Sequence, residues 1–148
     1  MKNLIAILML LPACTVGSSD ENPAKVLEGY IRVSFSATSV EDKKKMEEML
    51  TGDTKSRLMA WSDEQFAKAF LGGAKRFREL RILENNKVSD REVAITYELS
   101  YEEGSQDKTT RTTQRKLCAI VNEDGAWKIK EVRSIRESIE YLKEFSLP

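Results

Sequence analysis

Few residues in this chain are suited to chemistry. Its 148 residues include no histidine, which removes the commonest general base and the commonest metal ligand. Two cysteines, Cys14 and Cys118, are too few for a thiolate-only zinc site. No glycine-rich phosphate loop and no serine-hydrolase elbow is present, so neither a cofactor nor a metal is expected. What remains is tyrosine beside carboxylate. The stretch "REVAITYELSY" holds Tyr97, Glu98 and Tyr101, the candidate ligand-contacting residues. Its alternation puts Val93, Ile95, Tyr97, Leu99 and Tyr101 on one face of a strand and Glu98 on the other. Tyrosines on such a face pack into the core with their hydroxyls at its rim. Glu98 is then solvent-exposed, or enclosed if the sheet curls that way. A carboxylate buried without a partner shifts its pKa and marks a site.

The second chemical position is Cys14. Lys2 precedes an apolar run from Leu4 to Leu11. That run is far short of the roughly 20 residues that cross a bilayer as a helix. A positive start, a short apolar core and a small residue before a break make a signal-peptide pattern. Ordinary signal peptidase favours small residues first and third before the cut; here Ala13 is small and Leu11 is not. The residues Leu11-Pro12-Ala13-Cys14 resemble the lipobox of bacterial lipoproteins. The resemblance implies cleavage between Ala13 and Cys14, a lipid thioether on Cys14 and acylation of the new amino terminus. Two or more acyl chains anchor stably where one holds only marginally. The lipid bilayer, reached through Cys14, is thus an expected partner. The address is the cell envelope, with the periplasmic face of the outer membrane weakly favoured because Thr15 is not aspartate. An uncleaved anchor and a secreted protein with a free Cys14 are the alternatives. A Cys14–Cys118 disulfide is incompatible with a thioether on Cys14, and Cys118 in "KLCAIV" reads as a small core residue.

Composition bounds the rest. Lysine plus arginine equals aspartate plus glutamate at 24 each, so no basic excess points to nucleic acid. Charged residues at 32% and hydrophobic residues at 41% suit one globular domain. The expected organisation is a signal peptide over 1–13, the lipidated cysteine and a flexible tether over 14–22, and a single domain over 23–148.

Within that domain the period changes once. "NPAKVLEGYIRVSF" reads as a helix capped by Asn22, with Leu27, Ile31 and Phe35 on one stripe. "SVEDKKKMEEML" reads as a second, with Ser39 as cap, Met46, Met49 and Leu50 as its apolar side and Gly52 as its stop. The three lysines at 43–45 lie among acids and read as a solvated face. "WSDEQFAKAFLGG" has capping-box spacing at Ser62 and Gln65, and Trp61 and Phe66 at staple positions. Beyond Gly73 four strands follow, with a hairpin turn at Asp124-Gly125. The polar stretch "DKTTRTTQRK" reads as a segment that projects past the helices or forms a charge-guarded sheet edge, with a partner-binding ribbon as the functional alternative. "RESIEYLKEF" reads as a short closing helix using Ile135, Ile139 and Leu142.

Helices followed by an antiparallel meander predict an α+β fold, with N-terminal helices packed on a curved four-stranded sheet and a short C-terminal helix. This order, with "RILENNKVSDREVAITYELSY" through "AWKIKEV", resembles the nuclear transport factor 2-like superfamily of cone-shaped domains. The resemblance implies an apolar pocket between helices and sheet. The leading function is a non-catalytic binding module for a small apolar ligand or an envelope protein. The alternatives are an isomerase- or cyclase-type enzyme using a pocket carboxylate such as Glu98 with a tyrosine, and a structural envelope component.

Overall fold

The computed structural model describes residues 22–73, 75–104 and 108–142. The expected signal segment, its cut between Ala13 and Cys14, and the tether before Asn22 lie outside these residues. Among the described residues no helix is long and apolar enough to cross a membrane.

Helix α1 spans Pro23–Ser36. The Asn22 side chain accepts the Ala24 amide at 3.0 Å, and Pro23 occupies a first-turn position that needs no amide. Leu27 and Ile31 bury its apolar stripe. Helix α2 spans Asp42–Glu48. Ser39 does not cap it; instead the Asp42 carboxylate accepts the Thr38 and Ser39 amides at 3.0 and 3.3 Å and pairs with Lys45 at 2.6 Å. Gly52, at φ +56°, is the first residue of a further helix, α3 (Gly52–Met59), where only a stop was expected. Helix α4 (Asp63–Phe66) carries the predicted capping box. The Gln65 amide donates to Ser62 Oγ at 3.2 Å, and the Ser62 amide donates to Gln65 Oε1 at 2.8 Å. It continues as a π-helical turn over Ala67–Leu71, which brings the Phe70 ring to 5.0 Å from Phe66.

Four long strands follow: β1 (Lys75–Ser89), β2 (Glu92–Gly104), β3 (Thr109–Glu123) and β4 (Ala126–Tyr141). They form one antiparallel sheet in the order β1-β2-β3-β4. Asp124 and Gly125, at φ 52° and 87°, make the predicted β3–β4 hairpin turn. The core joins Val93, Ile95, Tyr97 and Leu99 of β2, Cys118 and Ile120 of β3 and Ile129 of β4 to Leu27, Ile31, Met46, Leu50, Leu58 and Phe66 of the helical segment.

The expected α+β architecture requires correction. The sheet is open and dominates the molecule, with short helices gathered at its N-terminal side. They cover the middle strands, while β1 is exposed along nearly all its length and β4 is exposed through almost all of its course beyond Ile129. Among the described residues no layer of helices encloses a curved sheet, and no cone forms. Among the described residues the predicted C-terminal helix is also absent: residues 133–141 continue β4, paired with β3 as far as Thr110 opposite Tyr141. Ile135, Ile139 and Leu142 have helical spacing, but Ile135, Ile139 and Tyr141 also stand at even separations, as a strand requires. Pairing with β3 settles between the two periods: a short helix without tertiary packing is marginal, whereas the strand joins a sheet already formed. That pairing also makes the polar stretch of β3 an interior strand, flanked by β2 and β4, and not an edge.

Candidate functional site

The sheet separates the residues that the sequence put forward. Tyr97 and Tyr101 lie on the helix-facing side, 4% and 8% exposed. Glu98 lies on the outer side, between its cross-strand neighbours Arg81 and Arg115. Its carboxylate pairs with Arg115 at 2.7 Å and with Arg81. These contacts, Arg115 first, hold its pKa below the ordinary carboxyl value. Glu98 therefore shares no pocket with either tyrosine, and its charge is fully partnered.

The outer face extends this pattern. Glu102 receives Arg76 at 2.5 Å, Arg78 at 2.7 Å and Arg111 at 3.0 Å. Its exposure falls to 4% because the guanidiniums lie over it, although it belongs to the surface layer and not to the apolar core. Hydrogen bonds from Arg78 and Arg76, reinforced by Arg111, pull its pKa down to about 2. Sequence reasoning missed Glu102, yet period two from Glu98 gave the signal.

On the helix-facing side, burial pushes up the pKa of Tyr97 and of Tyr30 on α1. Burial likewise pushes the Cys118 thiol up to about 12, so it is a poor nucleophile at neutral pH. Lys116 stands opposite Tyr97 on the same face. Its half-burial lowers its pKa, with Glu137 acting in the opposite sense and Lys75 adding to the drop. Tyr101 is different: its Thr112 hydrogen bond works against the upward push of burial and of Glu103 and Glu137.

The hollow with ligand-like chemistry lies beside these groups, between α1 and β1. It is an open groove of about 600 Å³. Ile31 and Phe35 come from the helix, and Phe77 and Leu80 from the strand. The helical stripe at i, i+4 supplies one wall and the apolar face of β1 the other. The Phe35 ring packs 5.7 Å from Phe77, edge-on, and 5.7 Å from Tyr101. Tyr101 thus supports the groove from behind, while Glu28 and Arg32 of α1 set a polar rim. A second hollow, between α3 and β4, is lined mainly by charged and polar residues, among them Asp53, Thr54, Arg57 and Lys130. Among the described residues, no group of three or more potential metal ligands comes together.

No family model matches the chain, and no curated protein matches it. Among solved structures it is similar to a SEC-C motif containing protein from Rhodopseudomonas palustris. The match covers 80% of this chain and 96% of that one, at 12% identity and a TM-score of 0.46.

Proposed function

We propose that this protein is a lipid-anchored lipoprotein of the bacterial cell envelope whose domain is a non-catalytic binding module. Its ligand is a small, mainly apolar molecule held in the α1–β1 groove. The observation that carries this reading is the groove wall of Ile31, Phe35, Phe77 and Leu80, open to solvent and rimmed by charge. Binding sites of this kind are largely apolar, with few polar groups to orient the ligand. Phe77 is 44% exposed, so a ligand seated on it removes aromatic surface from water. The anchor rests on Leu11-Pro12-Ala13-Cys14 and the apolar run before it.

The enzymatic alternative needs a carboxylate beside a tyrosine in a shared pocket, and Glu98 stands across the sheet from both candidates. The binding reading is therefore preferred.

Native mass spectrometry of protein drawn from membranes tests the ligand. The parent is expected to carry a retained small molecule that Phe77→Asp loses; an empty parent, or equal loading of both, sinks the groove as the site. Labelling with a fatty-acid analogue tests the anchor. Cys14→Ala is expected to lose the label, and equal labelling refutes the lipoprotein.

A further inference from the structure

The two edges of the sheet are protected to different degrees. An edge strand carries a row of unpaired backbone donors and acceptors, which natural proteins guard with charge, bulges or a covering segment. Strand β1 is guarded by three breaks in its register with β2, at Phe77/Glu79, Ile82/Glu84 and Lys87/Ser89. The start of β4 is covered: the Ile129 amide donates to the Met49 carbonyl at 2.8 Å, and the Thr51 amide donates to the Ile129 carbonyl at 2.9 Å. Thr54 Oγ1 donates to the Lys130 carbonyl at 2.7 Å. Beyond Lys130, no described segment pairs with the outer edge of β4. From Arg136 to Tyr141 its register with β3 is unbroken.

The backbone polarity of this segment follows from one hydrogen bond. The Leu142 amide donates to the Thr109 carbonyl at 3.0 Å. In an antiparallel ladder, alternate residues turn their backbone groups toward the same neighbour. Leu142, Glu140, Ser138 and Arg136 therefore face β3, and Tyr141, Ile139 and Glu137 present their N–H and C=O groups outward. Their neighbourhood is apolar for a surface: Ile135 is 56% exposed, Ile139 53% and Tyr141 63%.

The side chains name the partner. On the outer face of the sheet Arg136 lies beside Arg115 in the register. Arg115 is committed to Glu98, and Arg136 has no ion pair among the described residues. Four residues on, Glu140 has a side chain 68% exposed and only 3.9 Å from Arg111. We propose that β4 pairs antiparallel with β4 of a second copy of this chain, about a two-fold axis at Ser138. This register sets Arg136 opposite the second copy's Glu140, and Glu140 opposite its Arg136. The same register sets Glu137 opposite Ile139, a contact that occurs twice by symmetry, and brings Tyr141 to the end of the regular ladder, where Ile135 lies in the register break between Ser134 and Arg136. The outward backbone groups of Glu137 and Ile139 meet one another, so the ladder permits the alignment that the charge pattern selects. The result is one continuous sheet through both copies.

The test uses the purified full chain. Ser138→Cys places two thiols on the axis in a non-hydrogen-bonded pair, where Cα atoms sit about 4.5 Å apart and a disulfide can close. Mild oxidation is expected to give a cross-linked dimer well above the parent, which retains Cys14 and Cys118, and above Ser100→Cys in the sheet interior. Sedimentation of the parent is expected to show a concentration-dependent dimer. Arg136→Glu or Glu140→Arg alone sets like charges opposite each other twice and is expected to weaken the dimer about tenfold. The double swap is expected to restore it, a recovery that a merely structural role would not produce. A monomer mass with no excess cross-linking overturns the proposal and leaves the edge to a strand from a different protein. Assembly without limit, or a dimer indifferent to both reversals, overturns it as well.

Discussion

Glu102 on β2 and Arg111 on β3 stand directly opposite each other, 3.0 Å apart, and Arg111 also leans toward Glu140 on β4. With Arg76 and Arg78 of β1 on the other side of Glu102, charge runs across all four strands. The outer face of the sheet is thus held by alternating charges where the inner face is held by apolar burial.

Acid should expose this arrangement. The folded pKa of Glu102, about 2, lies below its ordinary 4.5. A depressed folded pKa contributes stability above the unfolded value, and that stability is lost as pH falls through the folded value. Denaturant midpoints are expected to fall between about pH 4.5 and 2. In Glu102→Gln the fall over this window is expected to be shallower and the neutral-pH midpoint lower, because three guanidiniums lose their shared carboxylate. An unchanged acid limb would remove Glu102 from the account.

Lys116 carries the opposite charge, and its charged form costs stability where that of Glu102 supplies it. Its folded pKa is lowered by burial, so above that value the unfolded chain binds more protons, and stability rises with pH toward the ordinary lysine range. Lys116→Met keeps the stem and removes the half-buried ammonium. It is expected to be neutral or stabilising at neutral pH and to flatten that alkaline rise, as read by thermal melts across pH. A strong loss of stability would show that the ammonium has a partner that matters.

Phe66 anchors the helical segment with no exposed surface. Phe66→Ala is expected to cost about 3–5 kcal/mol, the range for emptying a buried phenylalanine site. Urea unfolding checks it; a loss under about 1 kcal/mol would mean that Phe70 collapses into the space.

Ser62 and Gln65 satisfy each other's amides at the start of α4. Ser62→Ala is expected to cost about 1 kcal/mol, while Ser62→Asp, which retains an acceptor, should recover most of it. Equal losses in both variants would show that the hydroxyl matters for something other than capping.

Cys118 should be chemically silent in the folded chain. It is fully buried and its thiol is pushed up to about 12. A thiol reagent at mildly alkaline pH is expected to modify it only after denaturation, as mass spectrometry of the digested chain can read. Rapid native labelling would place an opening above Ile95 and Cys118.

The features legible in the sequence are those whose cause lies within a few residues. Asn22 and Ser62 start helices because their side chains reach amides two or three positions on. Asp124-Gly125 turns the chain because both residues adopt positive φ. Period two in β2 sorted Tyr97 from Glu98 before any neighbour was known. Tertiary structure decided whatever depended on a partner far along the chain. Residues 133–141 satisfy both a helical and a strand period, and β3 resolved them. The polar stretch of β3 is suited to an edge, and β4 made it interior. Glu102 is an ordinary carboxylate until Arg76, Arg78 and Arg111 arrive from two other strands. The open groove exists only because α1 leaves part of β1 uncovered. A local hydrogen bond can be read from spacing, but strand pairing and burial are choices among distant segments, and only the folded chain makes them.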